Sequence, residues 1–154
     1  MIKKTLLFVI FILITSCGYE PILSKKNVND YNFSLNKISF QGDKVINIKV
    51  KEKLNNYTLD KTIKNFSLLI NSTSNKKVLA KNLKGDPTNF KNITTLYVDV
   101  LINDVVKNRL KFEASFNYNN SNNKFDLKKY EKEIKKNLAE TMVNKLIFKL
   151  SNIQ

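Results

Sequence analysis

Histidine is absent from the 154 residues of this chain, and cysteine occurs once, at Cys17. Without an imidazole there is no Ser-His-Asp or Cys-His nucleophile and none of the common histidine metal sites. A lone cysteine closes no internal disulfide. The three glycines, at positions 18, 42 and 85, lie too far apart for a phosphate-cradling loop. Acids are scarce as well: 13 of them face 27 bases, with Arg109 the sole arginine, for a formal charge of +14. Carboxylate pairs such as Glu131 with Glu133, or Asp99 with Asp104, are the remaining candidates for acid–base chemistry, and they sit in charged, solvated contexts. The convergent titratable groups of an enzyme are missing, so the chain reads as non-catalytic, with no cofactor and no metal.

What the chain does have is a charged and then apolar N-terminus. Lys3 and Lys4 precede Leu6 to Ile14, a run too short to cross a hydrocarbon core of roughly 30 Å, which marks residues 1–16 as a secretory signal peptide. The segment ends in Ile14-Thr15-Ser16-Cys17: an aliphatic residue, two small ones and the only cysteine. This stretch resembles the lipobox of bacterial lipoproteins. The resemblance implies diacylglycerol on the Cys17 thiol, cleavage before Cys17 and a further acyl group on its amine. Each buried methylene contributes about 0.8 kcal/mol, so one chain anchors marginally and two or more hold firmly. A lipidated thiol is no longer a nucleophile or a metal ligand. Gly18, standing where an aspartate would retain a lipoprotein at the inner membrane, resembles the outer-membrane sorting signal of enteric bacteria. The competing readings are a plain transmembrane anchor or an incidental cysteine.

Cleavage takes sixteen residues and two lysines from the chain, leaving 138 residues and a formal charge of +12. That length suits one domain with a real core. The charge suggests an anionic partner, either acidic lipid or a phosphorylated glycan; an exported, membrane-tethered protein does not meet cytoplasmic nucleic acid. Lysine carries nearly all of it amid many Asn and Ile, a composition that an AT-rich genome imposes on any protein. Charge alone therefore does not name the partner.

Residues 17–32 read as lipidated N-terminus and tether, since Tyr19 to Asp30 is polar and lacks periodicity. The domain occupies 33–154. Phe33 to Phe40 is strand-like, and its apolar positions change phase between Leu35 and Ile38, which predicts a bulge. In Lys44 to Leu54, Val45, Ile46, Val50 and Leu54 share a helical face, whereas Ile46, Ile48 and Val50 also fit strand alternation; Asp43 as N-cap tips the choice to a short helix. Phe66, Leu68 and Ile70 alternate with polar residues, and Val78 and Ala80 mark a second run before the Gly85-Asp86-Pro87 turn. Leu96 to Ile102 and Leu110 to Tyr118 alternate about a turn at Asn103-Asp104, predicting a long antiparallel hairpin with one buried and one wet face. After a polar turn at Asn119 to Asn123, Leu127, Tyr130, Ile134, Leu138, Met142, Leu146 and Leu150 predict a helix over Asp126 to Leu150 whose apolar stripe covers the sheet. The expected architecture is α+β: a two-layer sandwich in which a mostly antiparallel sheet of about four strands is covered by a short N-terminal and a long C-terminal helix.

With the lipobox ahead of it, Cys17-Gly18-Tyr19-Glu20-Pro21 followed by this element order resembles the LPS-assembly lipoprotein LptE family of Gram-negative outer membranes. Its members begin with a lipidated cysteine, a glycine and an aromatic residue, and carry an aromatic-rich hairpin before a long C-terminal helix. Tyr19 matches the aromatic position, Leu110 to Tyr118 the hairpin strand and Leu127 to Leu150 the helix. No individual LPS-contacting residue of the family matches a position here. The resemblance implies a non-catalytic subunit on the periplasmic side of the cell outer membrane, partnered by an LptD-like β-barrel, with which it delivers lipopolysaccharide to the outer leaflet. Lys107, Arg109 and Lys111 are the candidate LPS contacts, because 109 and 111 share the wet face of the hairpin and arginine grips phosphate bidentately. The plainer reading of these three is a solvated strand face. The rival function is a lipoprotein adaptor, such as a pilotin for a secretin, without affinity for glycolipid.

Overall fold

The computed structural model describes residues 33–58 and 64–153. The expected signal peptide, Cys17 and the expected tether to residue 32 lie outside the described residues. Strand β1, Ser34–Gly42, leads through Asp43 into helix α1, Lys44–Leu54, and a 3-10 turn at Asn55–Tyr57. Strands β2, Asn65–Lys81, β3, Pro87–Ile102, and β4, Val105–Asn119, follow, and helix α2, Lys124–Ser151, comes last. The sheet order is β1-β2-β3-β4, with β1 parallel to β2 and the other neighbours antiparallel. Parallel neighbours need a crossover, and α1 supplies it. The result is the expected α+β sandwich, one layer of sheet and one of helices.

Local chemistry sets the first crossover. Leu35 pairs with Phe66 and Lys37 with Ser67, so Asn36 is the extra residue of a bulge. That bulge returns Ile38 and Phe40 to the inner face opposite Leu68 and Ile70, which is the phase slip visible in the sequence. At the far end Gly42 has φ +93°, and a Cβ there would fall 1.9 Å from the carbonyl oxygen of Ser72. Only glycine permits that approach. Asp43 then accepts hydrogen bonds from the backbone N–H of Val45 at 2.9 Å and of Ile46 at 3.3 Å, capping α1. Ile46, Val50 and Leu54 are fully buried while Ile48 is 58 % exposed, so the helical period wins over the strand alternation.

The core lies between the inner rows of β1, β2 and β3 and the two helices. Leu68, Leu96 and Val100 meet Ile46 and Val50 of α1 and Met142, Leu146 and Leu150 of α2 in one cluster with no measurable exposure. Each such side chain contributes about 1.5 to 3 kcal/mol on burial. Phe90, Tyr118, Leu127, Ile134 and Leu138 form a second cluster under the start of α2. The β3–β4 turn has φ +50° at Asn103 and +64° at Asp104. Two positive φ angles in a two-residue loop define the type I′ hairpin that Asn and Asp tolerate.

Four expectations need correction. First, β2 is one strand of 17 residues rather than two runs. Its β1 neighbour reaches only as far as Ser72. Beyond that point β2 pairs with β3 alone, and every residue from Asn75 to Asp86 is exposed; Val78 faces water because no helix lies against it. Second, the inner row of β4 is only half covered. Leu110, Phe112 and Ala114 are partly buried, Phe116 is exposed, and Tyr118 alone is buried, because β4 is the edge of the sheet. Third, α2 begins two residues earlier than its periodicity suggests, since Asn123 accepts from the backbone N–H of Phe125 and Asp126 and caps it there. Fourth, Tyr130 falls at the margin of the α2 stripe and is exposed.

Candidate functional site

The face of the sheet opposite the helices carries the candidate cations. Antiparallel register sets Arg109 opposite Asp99 and Lys111 opposite Tyr97. Arg109 Nε lies 3.7 Å from Asp99 Oδ1, with the arginine side chain 81 % exposed. Lys111 Nζ lies 3.4 Å from Glu113 Oε2 and 5.7 Å from the Tyr97 ring centroid. Pairing passes from Val100 with Asn108 to Leu101 with Val106, leaving Lys107 as the extra residue of a bulge. Lys107 is exposed and, among the described residues, has no ion-pair partner. The structure thus puts 109 and 111 on one wet row, as alternation requires, and sets 107 apart from it. Exposed ion pairs contribute about 0.2 to 1 kcal/mol, so neither holds its cation strongly. Beside this row lies a shallow hollow of about 310 Å³ and mixed lining, with Ser39, Gln41, Asn71 and Asp99 beside Leu69, Ile70 and Tyr97.

A second cationic surface was not anticipated. Lys77, Lys81 and Lys84 sit on the exposed β2–β3 arm with Val78, Leu79 and Leu83, which is wholly exposed at the tip. Asn82 organises that tip, its Oδ1 accepting from the backbone N–H of Lys84 and of Asp86, both at 2.9 Å. Bare aliphatics flanked by lysines suit an amphiphile with an anionic head. The sequence signal for it was the adjacent pair Lys76-Lys77, since one of two neighbouring strand residues must point to each face.

The carboxylates serve the scaffold. Lys76 Nζ lies 2.6 Å from Glu131 Oε1, and the Tyr118 hydroxyl donates to the same oxygen at 2.8 Å. Burial opposes ionisation of Glu131, but the hydrogen bonds from Lys76 and Tyr118 outweigh it and hold the carboxyl below its ordinary range. Burial, and then the hydrogen bond to Glu131 and its charge, push the Tyr118 phenol well up. At Asp43 burial likewise opposes ionisation, and the Lys135 ammonium at 2.6 Å together with the capped backbone N–H groups prevails, lowering the pKa. Glu133 pairs with Lys136, and Asp99 with Arg109, so three of the four carboxylates considered from sequence, Glu131, Glu133 and Asp99, are each engaged by a cation of their own, while Asp104 sits in the β3–β4 turn. Among the described residues no three His, Cys, Asp or Glu are grouped to hold a metal, and no helix is long and apolar enough to cross a membrane.

No protein-family model and no curated protein matches the chain. Solved structures do match its fold. The rare lipoprotein B of Shewanella oneidensis superposes with a TM-score of 0.56 at 15 % identity, over 76 % of this chain and 98 % of that one. A minor lipoprotein of Acinetobacter baumannii gives 0.56 at 14 % identity, over 79 % and 91 % of the two chains. A Caulobacter crescentus chain described as a lipoprotein gives 0.57 at 12 %, over 80 % and 92 %. At these identities the likeness is one of fold, and the fold this chain shares is one in which several bacterial lipoproteins have been solved.

Proposed function

We propose that this chain is an outer-membrane lipoprotein, anchored through acylated Cys17, that acts as the non-catalytic partner of an LptD-like barrel in lipopolysaccharide delivery. The observation that carries the reading is the shared fold standing directly behind a lipobox. The physics is compatible with the role. A small α+β domain with polar outer faces fits a wet barrel lumen, and the acyl chains hold it at the periplasmic leaflet. Arg109 and Lys111 on the open sheet face, and Lys77, Lys81 and Lys84 on the arm, offer charge-assisted hydrogen bonds to the phosphates of a glycolipid.

Two measurements test this. Radiolabelled palmitate should enter the wild type and not Cys17→Ser; equal labelling of both ends the lipoprotein reading. A tagged full-length chain, drawn from outer membrane solubilised in mild detergent, should bring an LPS-transport barrel with it. Recovery of a secretin without that barrel would replace the proposal with an adaptor role.

A further inference from the structure

Strand β4 is the edge of the sheet, and among the described residues its backbone pairs only with β3. Alternate N–H and C=O groups along its outer side therefore have no strand partner. The side chains beside that edge are unfinished in the same direction. Leu96 and Val98 of β3 are buried, whereas Phe112 and Leu110 opposite them on β4 are only partly so, and Phe116 is 46 % exposed. Next to Phe116, residues Tyr130, Ile134 and Leu138 of α2 line a groove of about 120 Å³. An open ladder and a half-covered apolar row run along the same strand.

We propose that the outer edge of β4 is a strand-addition site, taking an extended segment of a partner protein in which apolar residues alternate with acidic ones. A strand added there lies about 4.8 Å beyond β4, and every second side chain points the same way. Its inward side chains complete the row of Leu110, Phe112 and Phe116 and reach over the groove at Tyr130 and Ile134. Its outward side chains stand beside Arg109 and Lys111, on a strand whose only acid is Glu113. Opposite charges directly across a ladder stabilise the pair and like charges oppose it. A second copy of this chain offers Glu113 as the single acid of its β4 row, where the proposed segment sets an acidic side chain at every second position. The bulge at Lys107 interrupts the ladder at one end, so the segment docks between Asn108 and Asn119. This inference concerns how a protein partner is held and does not require that the chain bind glycolipid.

The test uses the full-length chain in mild detergent and two blocked peptides of about nine residues, one alternating valine with glutamate and one valine with lysine. The glutamate peptide should slow amide exchange across 108–119 by about tenfold or more, and should leave β1 unchanged. Arg109→Glu with Lys111→Glu should invert the preference toward the lysine peptide, and Phe116→Asp should weaken both. Circular dichroism establishes that the variants remain folded. Equal binding of the two peptides, protection on β1 instead of β4, or no protection by either peptide would each overturn the proposal.

Discussion

Lys76 and Glu131, 55 residues apart in sequence, meet at 2.6 Å. The contact ties the β2–β3 hairpin to α2 at the point where the sheet leaves its cover. Lys76 also lies 3.7 Å over the Phe90 ring, and Tyr118 shares the Glu131 oxygen. Outward of Lys76 no residue up to Asp86 is buried or half-buried, so this cluster is the root of the arm.

Glu131→Gln should therefore loosen the arm without unfolding the domain. Both side chains retain some exposure, at 39 % and 21 %, which places the cost near the low end for a charged hydrogen bond, about 1 to 2 kcal/mol. Urea melts would give that cost. Amide exchange over residues 77–86 should accelerate more than exchange at Leu68 or Val98, and a uniform acceleration would mean that the pair supports the whole fold rather than the arm.

Acid should destabilise the protein through the same groups. Glu131 and Asp43 titrate below their ordinary values in the folded chain, as does Glu140 beside Lys53 and Lys49. A depressed carboxylate contributes its full stability above the unfolded pKa and loses it as pH falls through the folded one. The loss is thus expected to begin as pH falls into the ordinary carboxylate range and to deepen below it. Asp43→Asn combined with Glu131→Gln should start from a lower urea midpoint at neutral pH and decline less steeply in that window. Parallel curves for variant and wild type would show that other groups govern the acid limb.

Much of this architecture was legible in the sequence because the deciding residues act locally. The slip between Leu35 and Ile38 announced a bulge, Asp43 a cap, and Asn103-Asp104 a hairpin turn, each a matter of a few neighbouring dihedrals. The course of β2 was not legible. Alternation at Val78 and Ala80 looks the same whether or not a helix lies against it, and β1 ends at Gly42, opposite Ser72, for reasons set by the pairing of two distant segments. The half-covered row of β4 was missed for a related reason: periodicity gives the direction of a side chain, while its burial depends on what stands beyond the edge. Arg109 and Lys111 were placed on the wet face by alternation alone, and the Lys107 bulge emerged only from the register against β3.

Gly42→Ala should be costly although the residue lies at an exposed strand end. A positive φ strains any L-side chain by about 1 to 3 kcal/mol, and the added Cβ would sit 1.9 Å from the Ser72 oxygen. The clash is with backbone, so β1 or the start of α1 must shift. Gly85→Ala is the control: its φ is +85° but nothing lies within 4 Å of the new Cβ. Denaturant melts should show a clearly larger loss at 42 than at 85.

Core and edge should separate in the same kind of experiment. Leu68 is fully buried, and Leu68→Ala should cost about 2 to 5 kcal/mol. Phe112 is larger but only partly buried at the edge, so Phe112→Ala should fall below the roughly 3 to 5 kcal/mol typical of a core phenylalanine. A greater loss at Phe112 than at Leu68 would mean that the edge row is covered in solution.

The two cationic surfaces can be told apart by their variants. Arg109→Ala, at a side chain 81 % exposed, should change stability by no more than about 0.5 kcal/mol. If Arg109 grips a lipid A phosphate, loss of a charge-assisted hydrogen bond of about 1.5 to 3 kcal/mol should weaken lipopolysaccharide binding tenfold or more. Replacing Lys77, Lys81 and Lys84 together by alanine should likewise spare the fold, since all three side chains are exposed. Lysines act there as point charges screened over roughly 8 Å at physiological salt, so whatever affinity they supply should fade as salt is raised. Titration of the full-length chain with lipopolysaccharide at two salt concentrations separates the cases. A loss confined to Arg109→Ala assigns the anion to the open sheet face, and a salt-dependent loss confined to the triple variant assigns it to the arm. Unchanged affinity in both would remove glycolipid from the proposed function and leave the anchored, barrel-associated reading to stand on co-purification alone.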